Sequence, residues 1–119
     1  MNKLIFLDID GVLNYNSWYY NSRNIEKEKD LDLFCIERIN ILTKLTKAYI
    51  VISSDWRYDM NQCKYRLENA GLNGIIIGHT PINLFNKSEK DKSRGREIET
   101  FLQENSSYFT NYVIIDDRF

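Results

Sequence analysis

Hydrophobic residues cluster in four short, uninterrupted runs along the chain. The runs are Leu4–Leu7, Tyr49–Ile52, Ile75–Ile77 and Val113–Ile115. Continuous apolar runs are typical of parallel strands that are covered on both faces, whereas a half-exposed strand alternates polar and apolar residues. The pattern therefore predicts four strands of a parallel sheet.

Between these runs, apolar residues recur at spacings of three and four, as on the buried face of a helix. Three such stripes occur, and their members are Leu31, Cys35, Ile39, Leu42 and Leu45; Met60, Cys63, Leu67 and Ala70; and Ile98, Phe101 and Leu102. Gly71 follows the second stripe, at a position where glycine commonly ends a helix. Alternating strands and helices predict right-handed βαβ units and a three-layer α/β fold.

Composition narrows the possible classes of function. The 119 residues are about the length of one domain, and 43% hydrophobic residues can form a core without disulfides. A net charge of -1 gives no general attraction to nucleic acid or membranes. Cys35 and Cys63 form no CxxC pair and lie in the helical stripes, so we expect inert core thiols. The first apolar run is too short for a signal peptide or membrane span, so we expect a soluble, cytoplasmic protein without a membrane partner.

Polar residues follow every apolar run. They are Asp8 after the first, Ser53-Ser54 after the second, Gly78-His79-Thr80 after the third and Asp116-Asp117 after the fourth. In open parallel sheets, ligands bind beyond the carboxyl ends of the strands. The sequence therefore predicts that its chemistry is concentrated at this edge of the sheet.

The acidic residues at the strand ends indicate a metal site. Asp8 and Asp10 are two residues apart, and Gly11 lets the backbone turn away after them, while Asp116 and Asp117 arrive from a neighbouring strand. Several carboxylates do not stay ionised together without a cation, and an oxygen-only ligand set suits Mg²⁺. The glycine falls too early for an EF-hand. An Asp-Gly pair alone is common in turns, and an Asp pair after a strand is common in loops and helix caps. The prediction therefore depends on the occurrence of both pairs at strand ends.

The chain resembles the haloacid dehalogenase (HAD) superfamily. Its four motifs correspond in order to Asp8-Ile9-Asp10-Gly11-Val12-Leu13, Val51-Ile52-Ser53-Ser54, a basic residue within Lys92–Arg96, and Ile114-Ile115-Asp116-Asp117. This resemblance spans nearly the whole chain and implies a Rossmann-like HAD fold, with residues 1–119 as a single HAD-like phosphatase domain. The family normally continues with a further loop and often a fifth strand, so we expect the domain to be short at its carboxyl end.

A closer resemblance is to the small HAD domain of RNA-repair proteins, which is related to the phosphatase half of polynucleotide kinase-phosphatases. It is carried by Asp10-Gly11-Val12-Leu13-Asn14, Ser53-Ser54-Asp55-Trp56-Arg57, Gly78-His79-Thr80-Pro81, Arg94-Gly95-Arg96-Glu97-Ile98 and Asp116-Asp117. The implied activity is Mg²⁺-dependent hydrolysis of a phosphomonoester.

The resemblance implies a role for each residue of the first two motifs. Asp8 is the expected nucleophile, which forms an aspartyl-phosphate, and Asp10 is the expected general acid and base. Ser53 and the backbone N–H of Ser54 are expected to hold phosphate oxygens, and Gly11 belongs to the same substrate-binding loop. A serine that merely ends a strand is the alternative for Ser53.

The last two motifs are expected to supply positive charge and metal ligands. Asp116 and Asp117 are expected to hold Mg²⁺ together with Asp8 and the backbone carbonyl of Asp10. Arg94 best matches the spacing of the cation that steadies the phosphoryl group. A solvated charge at a helix start is the alternative for Arg94, and Lys92 is the next candidate for this role, with Arg96 as the third.

The residues that follow Ser53-Ser54 allow two interpretations. Trp56 and Arg57 either present a stacking face and a guanidinium to a second phosphate or base, or pack under the loop with Arg57 in a salt bridge. Similarly, Trp18-Tyr19-Tyr20 lies where HAD proteins carry a mobile flap and either grips substrate or forms a small satellite core. His79 is expected to be structural.

The stretch between the first two motifs is too short for a large cap domain, so an open site is expected. Such a site suits a phosphate at the end of a large molecule, such as a nucleic-acid terminus or a phosphoprotein, and the expected substrate is a polynucleotide or nucleotide. A nucleic-acid partner would need local positive charge from Arg57, Arg94, Arg96 and the segment Lys87–Lys92. A catalytically silent HAD-like binding module and a phosphoprotein phosphatase remain alternatives. A receiver-like signalling domain is disfavoured by the order of the motifs. Its acceptor Asp follows a strand in the middle of the sequence, whereas the pair Asp8 and Asp10 follows the first strand.

Overall fold

The computed structural model describes residues 2–14, 31–82 and 90–117, without the side chains of residues 90–93. The elements are, in chain order, β1 (Asn2–Leu7), α1 (Leu33–Thr46), β2 (Tyr49–Ile52), a 3₁₀ helix (Asp55–Asp59), α2 (Met60–Asn69), β3 (Ile76–His79), α3 (Lys90–Glu104) and β4 (Phe109–Ile115). The predicted α/β fold around a parallel sheet is confirmed. Among the described helices, none combines the length and hydrophobicity that crossing a membrane requires.

The four strands form one all-parallel sheet in the order β3-β2-β1-β4. Leu7 is in register with Ile52 on one side and with Ile115 on the other. The carboxyl ends of three strands therefore lie level with one another. This alignment brings the polar residues that follow the strands to one edge of the sheet.

The side chains of β1 alternate between two hydrophobic cores, as the two-residue period of a strand requires. Ile5 and Leu7 belong to the larger core, on the side of α1 and α2. Leu4 and Phe6 belong to the smaller core, where Phe6 packs edge-to-face on Phe101 of α3. The sheet is thus enclosed between helical layers, as the apolar run of β1 predicts.

The helices α1 and α2 have well-defined ends. The Asp32 side chain caps α1 by accepting a hydrogen bond from the N–H of Phe34 at 2.9 Å. Asp59 caps α2 in the same way, through the N–H of Gln62. Gly71 follows α2 with φ +101°, which is the glycine termination that the sequence predicts.

Several expectations about burial are wrong in detail. Leu45 is 78% exposed although it fits the helical stripe, and Cys35 is only half-buried, whereas Cys63 is buried as expected. The third strand is shifted from its apolar run: Ile75 precedes it and is 61% exposed, and Gly78-His79 lie inside it. The edge strands β3 and β4, each of which pairs with a single neighbour among the described strands, are also partly exposed.

Candidate active site

Backbone hydrogen bonds continue the sheet for one residue beyond the strands and so position the first residue of each loop. The N–H of Asp8 donates to the carbonyl of Ile115 at 3.0 Å, that of Ser53 to Leu7 at 2.9 Å, and that of Thr80 to Ile52 at 3.0 Å. These bonds therefore fix the positions at which the three loops begin. Asp8 and Ser53 are both buried at this edge of the sheet.

Three carboxylates and one guanidinium meet at the ends of β1 and β4. Carboxylate oxygens of Asp8, Asp116 and Asp117 all lie within 4.8 Å of one another. Nη1 of Arg94 lies 3.0 Å from Oδ1 of Asp8 and 2.7 Å from Oδ2 of Asp116. The same nitrogen donates to the carbonyl of Ser53 at 3.0 Å. Arg94 thus links the ends of three strands.

The ionisation of Asp8 is strongly affected by this environment. Burial, which is the largest cause, and the nearby Asp116 carboxylate together raise the pKa of Asp8 to about 7, against the opposing effects of Arg94 and the N–H of Ile9. The carboxylate therefore requires additional positive charge to stay fully ionised at neutral pH. A buried carboxyl with a perturbed pKa at a strand end is typical of a functional site.

The acidic cluster fits a divalent cation of the Mg²⁺ class. Its donors are carboxylate oxygens, which hard cations prefer, and they come from two adjacent strands at a mutual distance that one ion can bridge. Arg94 supplies one positive charge against three acidic side chains, so a second cation would balance the site. The contribution expected from the carbonyl of Asp10 stays a prediction.

Gly11 is required where it stands for two reasons. Its φ of +85° lies in the left-handed region, which is the backbone turn that the sequence predicts after Asp10. In addition, a Cβ atom at this position would lie 2.1 Å from Oδ2 of Asp117. The Asp117 carboxylate therefore occupies the space that any other side chain would need.

Asp10 is held by hydrogen bonds rather than by the acidic cluster. Its Oδ1 accepts a bond from Nδ2 of Asn14 at 3.1 Å and another from Nε1 of Trp56 at 3.1 Å. Asn14 is itself oriented, because its Oδ1 accepts a bond from the N–H of Gly11 at 3.0 Å. Two donors from different loops thus fix one carboxylate oxygen of Asp10.

For Arg57, the contacts favour a salt bridge over substrate binding. The side chain is 4% exposed, and its Nη2 lies 2.5 Å from Oε2 of Glu97. Its Nη1 donates to the carbonyl of Ser54 at 2.8 Å, and Nη2 also contacts the carbonyl of Pro81 at 3.4 Å. A guanidinium engaged in this way offers little surface to a substrate. Of the two interpretations of Arg57, these contacts favour the salt bridge, and a contact with a second phosphate stays a prediction.

Trp56 also packs into the protein. It contacts the larger hydrophobic core, and the guanidinium of Arg66 lies over its ring at 4.3 Å from the centroid. The Ser54 hydroxyl accepts a bond from the N–H of Trp56 at 3.3 Å and caps the 3₁₀ helix. Trp56 is therefore placed by the core and by its neighbours, with its indole N–H aimed at the site.

Among the other residues considered from the sequence, the structure describes His79 and Arg96 but neither the expected flap nor the lysine side chains. His79 is half-buried and its Nδ1 donates to the carbonyl of Thr80 at 2.7 Å, a local structural contact. Arg96 is half-buried in α3. Trp18-Tyr19-Tyr20 lies outside the described residues, and so do the side chains of Lys87–Lys92. The flap and the lysine segment therefore stay predictions.

Sequence reasoning assigned no role to Asn14 or Glu97. Asn14 is buried against Asp10, and its position four residues after the Asp of an Asp-Gly turn is a signal that could have indicated this contact. Glu97 is a buried acidic residue on the apolar side of α3, next to Ile98. Its partner Arg57 lies forty residues earlier, so no local pattern connects the two.

Comparison with protein families identifies one match, which covers most of the chain. The model of the HAD domain in Swiss Army Knife RNA repair proteins matches residues 4–119. Comparisons with curated proteins and with solved structures give no match. The family match includes all the strand ends described above.

Proposed function

The chain belongs to the family of HAD domains found in Swiss Army Knife RNA repair proteins, and we propose that it is a Mg²⁺-dependent phosphatase that uses Asp8 as its nucleophile. The observation that carries this proposal is the position of Arg94 between two acidic side chains. Its Nη1 lies within 3.0 Å of both Asp8 and Asp116. A nucleophile, a cation and metal-ligating oxygens therefore converge at one point.

In the first step, an oxygen of Asp8 attacks the phosphorus atom in line, and the bond from phosphorus to the leaving oxygen breaks. Asp10 gives its proton to that leaving oxygen. In the second step, Asp10 takes a proton from a water molecule that attacks the aspartyl-phosphate. This step releases phosphate and returns both carboxylates to their starting states.

Arg94 and Ser53 are proposed to hold the phosphoryl group while these bonds change. The guanidinium is anchored by the carbonyl of Ser53, so it meets the phosphate oxygens without having to reorganise. The hydroxyl of Ser53 and the N–H of Ser54 follow at the end of β2. Their expected contacts with phosphate oxygens complete the binding site.

The residues that would hold Mg²⁺ are Asp8, Asp116 and Asp117. The ion supplies positive charge that lets an anionic nucleophile approach a dianionic phosphate. The raised pKa of Asp8 supports a need for that charge, because a protonated carboxyl is a poor nucleophile.

The proposed substrate is a terminal phosphate on a polynucleotide or nucleotide. Support comes from the family description and from the short connection after β1, which leaves no room for a large cap. Since Arg57 is engaged with Glu97, contacts beyond the phosphorus fall to Arg96 and to Lys87–Lys92. Because Arg96 and the lysines of this segment are basic, we expect added salt to weaken the binding of nucleic-acid substrates.

A substrate panel tests this proposal. The panel contains RNA oligonucleotides with 3′ or 5′ phosphates, mononucleotides, phosphopeptides and an aryl phosphate, each assayed with Mg²⁺ and with a chelator. We expect Mg²⁺-dependent phosphate release, fastest from the nucleic-acid ends, and complete loss in Asp8→Asn. Asp59→Asn is the matched control, because asparagine caps a helix as well as aspartate does.

The outcomes separate the parts of the proposal. Full turnover by Asp8→Asn would exclude the covalent mechanism. Equal rates with and without Mg²⁺ would exclude the metal. Faster release from phosphopeptides than from nucleic-acid ends would replace the substrate class, and no release from any substrate would favour a silent binding module.

A further inference from the structure

The motif Ser53-Ser54-Asp55-Trp56-Arg57 contains an aromatic side chain to which the phosphatase chemistry gives no task. Trp56 is the second residue of the 3₁₀ helix that follows β2. Its Nε1 reaches Oδ1 of Asp10, forty-six residues earlier in the chain, at 3.1 Å. An indole N–H is only a donor, so Oδ1 acts as the acceptor in this bond.

Asn14 supplies a second hydrogen-bond donor to the same oxygen of Asp10. Nδ2 of Asn14 also lies 3.1 Å from Oδ1 of Asp10, and the bond from Gly11 N–H to Oδ1 of Asn14 fixes which end of the amide points that way. These two donors to Oδ1 of Asp10 are both N–H groups. A proton on Oδ1 would face them, so Oδ2 is the oxygen that would carry the proton when Asp10 acts as a general acid.

The indole is itself held in place on several sides. The guanidinium of Arg66 lies over the ring, the larger hydrophobic core contacts it, and the Ser54 cap fixes its backbone. A large, rigid side chain with these constraints loses little freedom when it makes one further hydrogen bond. Trp56 is thus suited to orient a second residue precisely.

We propose that Trp56 is a positioning residue that orients Asp10, so that Oδ2 delivers the proton to the leaving oxygen. This inference rests on the proposed phosphatase function. In the step concerned, the bond from phosphorus to the leaving oxygen breaks as Asp8 bonds to phosphorus, and the proton passes from Oδ2 of Asp10 to the departing oxygen. Substrates whose leaving group is a poor anion, such as a ribose or alkyl alcohol, need that proton most.

The leaving-group dependence of Trp56→Phe tests this role. Phenylalanine keeps an aromatic ring but removes the N–H. We compare kcat/KM for an alkyl or nucleoside phosphate with kcat/KM for dinitrophenyl phosphate, whose leaving anion needs no proton. Each kcat/KM value reports only the steps up to cleavage of the phosphoester and not the later hydrolysis of the aspartyl-phosphate. We expect Trp56→Phe to lower the alkyl value by about 10- to 100-fold and the dinitrophenyl value by less than about threefold.

Two further variants calibrate the measurement. Asp10→Asn should show the same selectivity with a larger loss on the alkyl substrate. Tyr58→Phe, which alters an exposed aromatic residue of the same 3₁₀ helix, should leave both values unchanged. If Trp56→Phe does not fold, Trp56→benzothienylalanine retains the shape of the indole while replacing its N–H by sulfur.

The outcomes distinguish this inference from the function on which it rests. If the parent enzyme and Asp10→Asn behave as described but the Trp56 variants lose activity equally on both substrates, Trp56 is merely structural and the inference fails alone. Unchanged kinetics in those variants would overturn it as well. If the parent hydrolyses neither substrate, the proposed function fails first and the inference fails with it.

Discussion

Arg57 and Glu97 form a salt bridge of 2.5 Å between two buried side chains. It joins the 3₁₀ helix after β2 to α3, and α3 also carries Arg94. Because Arg94 lies less than one helical turn before Glu97, the bridge fixes the part of α3 that reaches the acidic cluster. A contact outside the proposed chemistry thus supports the position of the proposed cation.

We expect Arg57→Ala and Glu97→Ala each to lower the free energy of unfolding by about 3–5 kcal/mol, since either change leaves a buried charge without its partner. The double variant Arg57→Met/Glu97→Leu should lose less than either single variant. Urea unfolding of the three proteins provides the measurement. Additive losses in the double variant would show that the two side chains act independently.

A second prediction concerns pH in the absence of metal. The folded chain keeps a proton on Asp8 up to its raised pKa of about 7, whereas the unfolded chain releases it near pH ~4. The folded state therefore binds more protons in this window, and its stability should fall as pH rises through it. Urea unfolding with a chelator should show a steeper fall for the parent than for Asp8→Asn, which has no titrating group there. Parallel curves would contradict the raised pKa.

A third prediction is that Mg²⁺ raises the Tm, because it relieves repulsion among Asp8, Asp116 and Asp117 in the folded state. Asp116→Asn/Asp117→Asn should abolish this increase, whereas Asp59→Asn should keep it. Thermal unfolding with increasing Mg²⁺ is the measurement. An unaltered response in the double variant would place the ion elsewhere.

A fourth prediction concerns Gly11→Ala. Alanine is strained at the φ of +85°, and its Cβ would collide with the Asp117 carboxylate, so we expect a loss of more than ~1 kcal/mol in stability and a weaker response to Mg²⁺. Gly78→Ala is the matched control, since nothing lies within 4 Å of a Cβ built there. Equal effects of the two variants would show that the close approach of Asp117 is unimportant.

The sheet and the strand-end residues were predictable because they depend on local patterns. Asp8, Ser53 and Asp116 each follow an apolar run directly, and parallel strands place such residues at one edge. The boundary of β3 was not predictable in this way. The strand includes Gly78 and begins only at Ile76, although the carbonyl of the exposed Ile75 still accepts a hydrogen bond from the N–H of Ile50 in β2.

The contacts that join distant parts of the chain were beyond the sequence pattern. Periodicity alone placed Leu45 in the core, whereas the structure leaves it 78% exposed. Likewise, two interpretations of Trp56 and Arg57 were equally compatible with their motif. Choosing between them required the positions of Asp10 and Glu97, which tertiary packing alone brings near.

The three backbone bonds that extend the sheet past Leu7, Ile52 and His79 restrict how this domain can vary in length. Since successive strand residues point to opposite faces, deleting one residue from β1 would turn Asp8 away from Arg94 and exchange the side chains that pack into the two cores. Residues added to the connections between elements would change none of these directions. Evolution of this domain is therefore free to lengthen or replace its loops, while the number of residues in its central strands must stay constant.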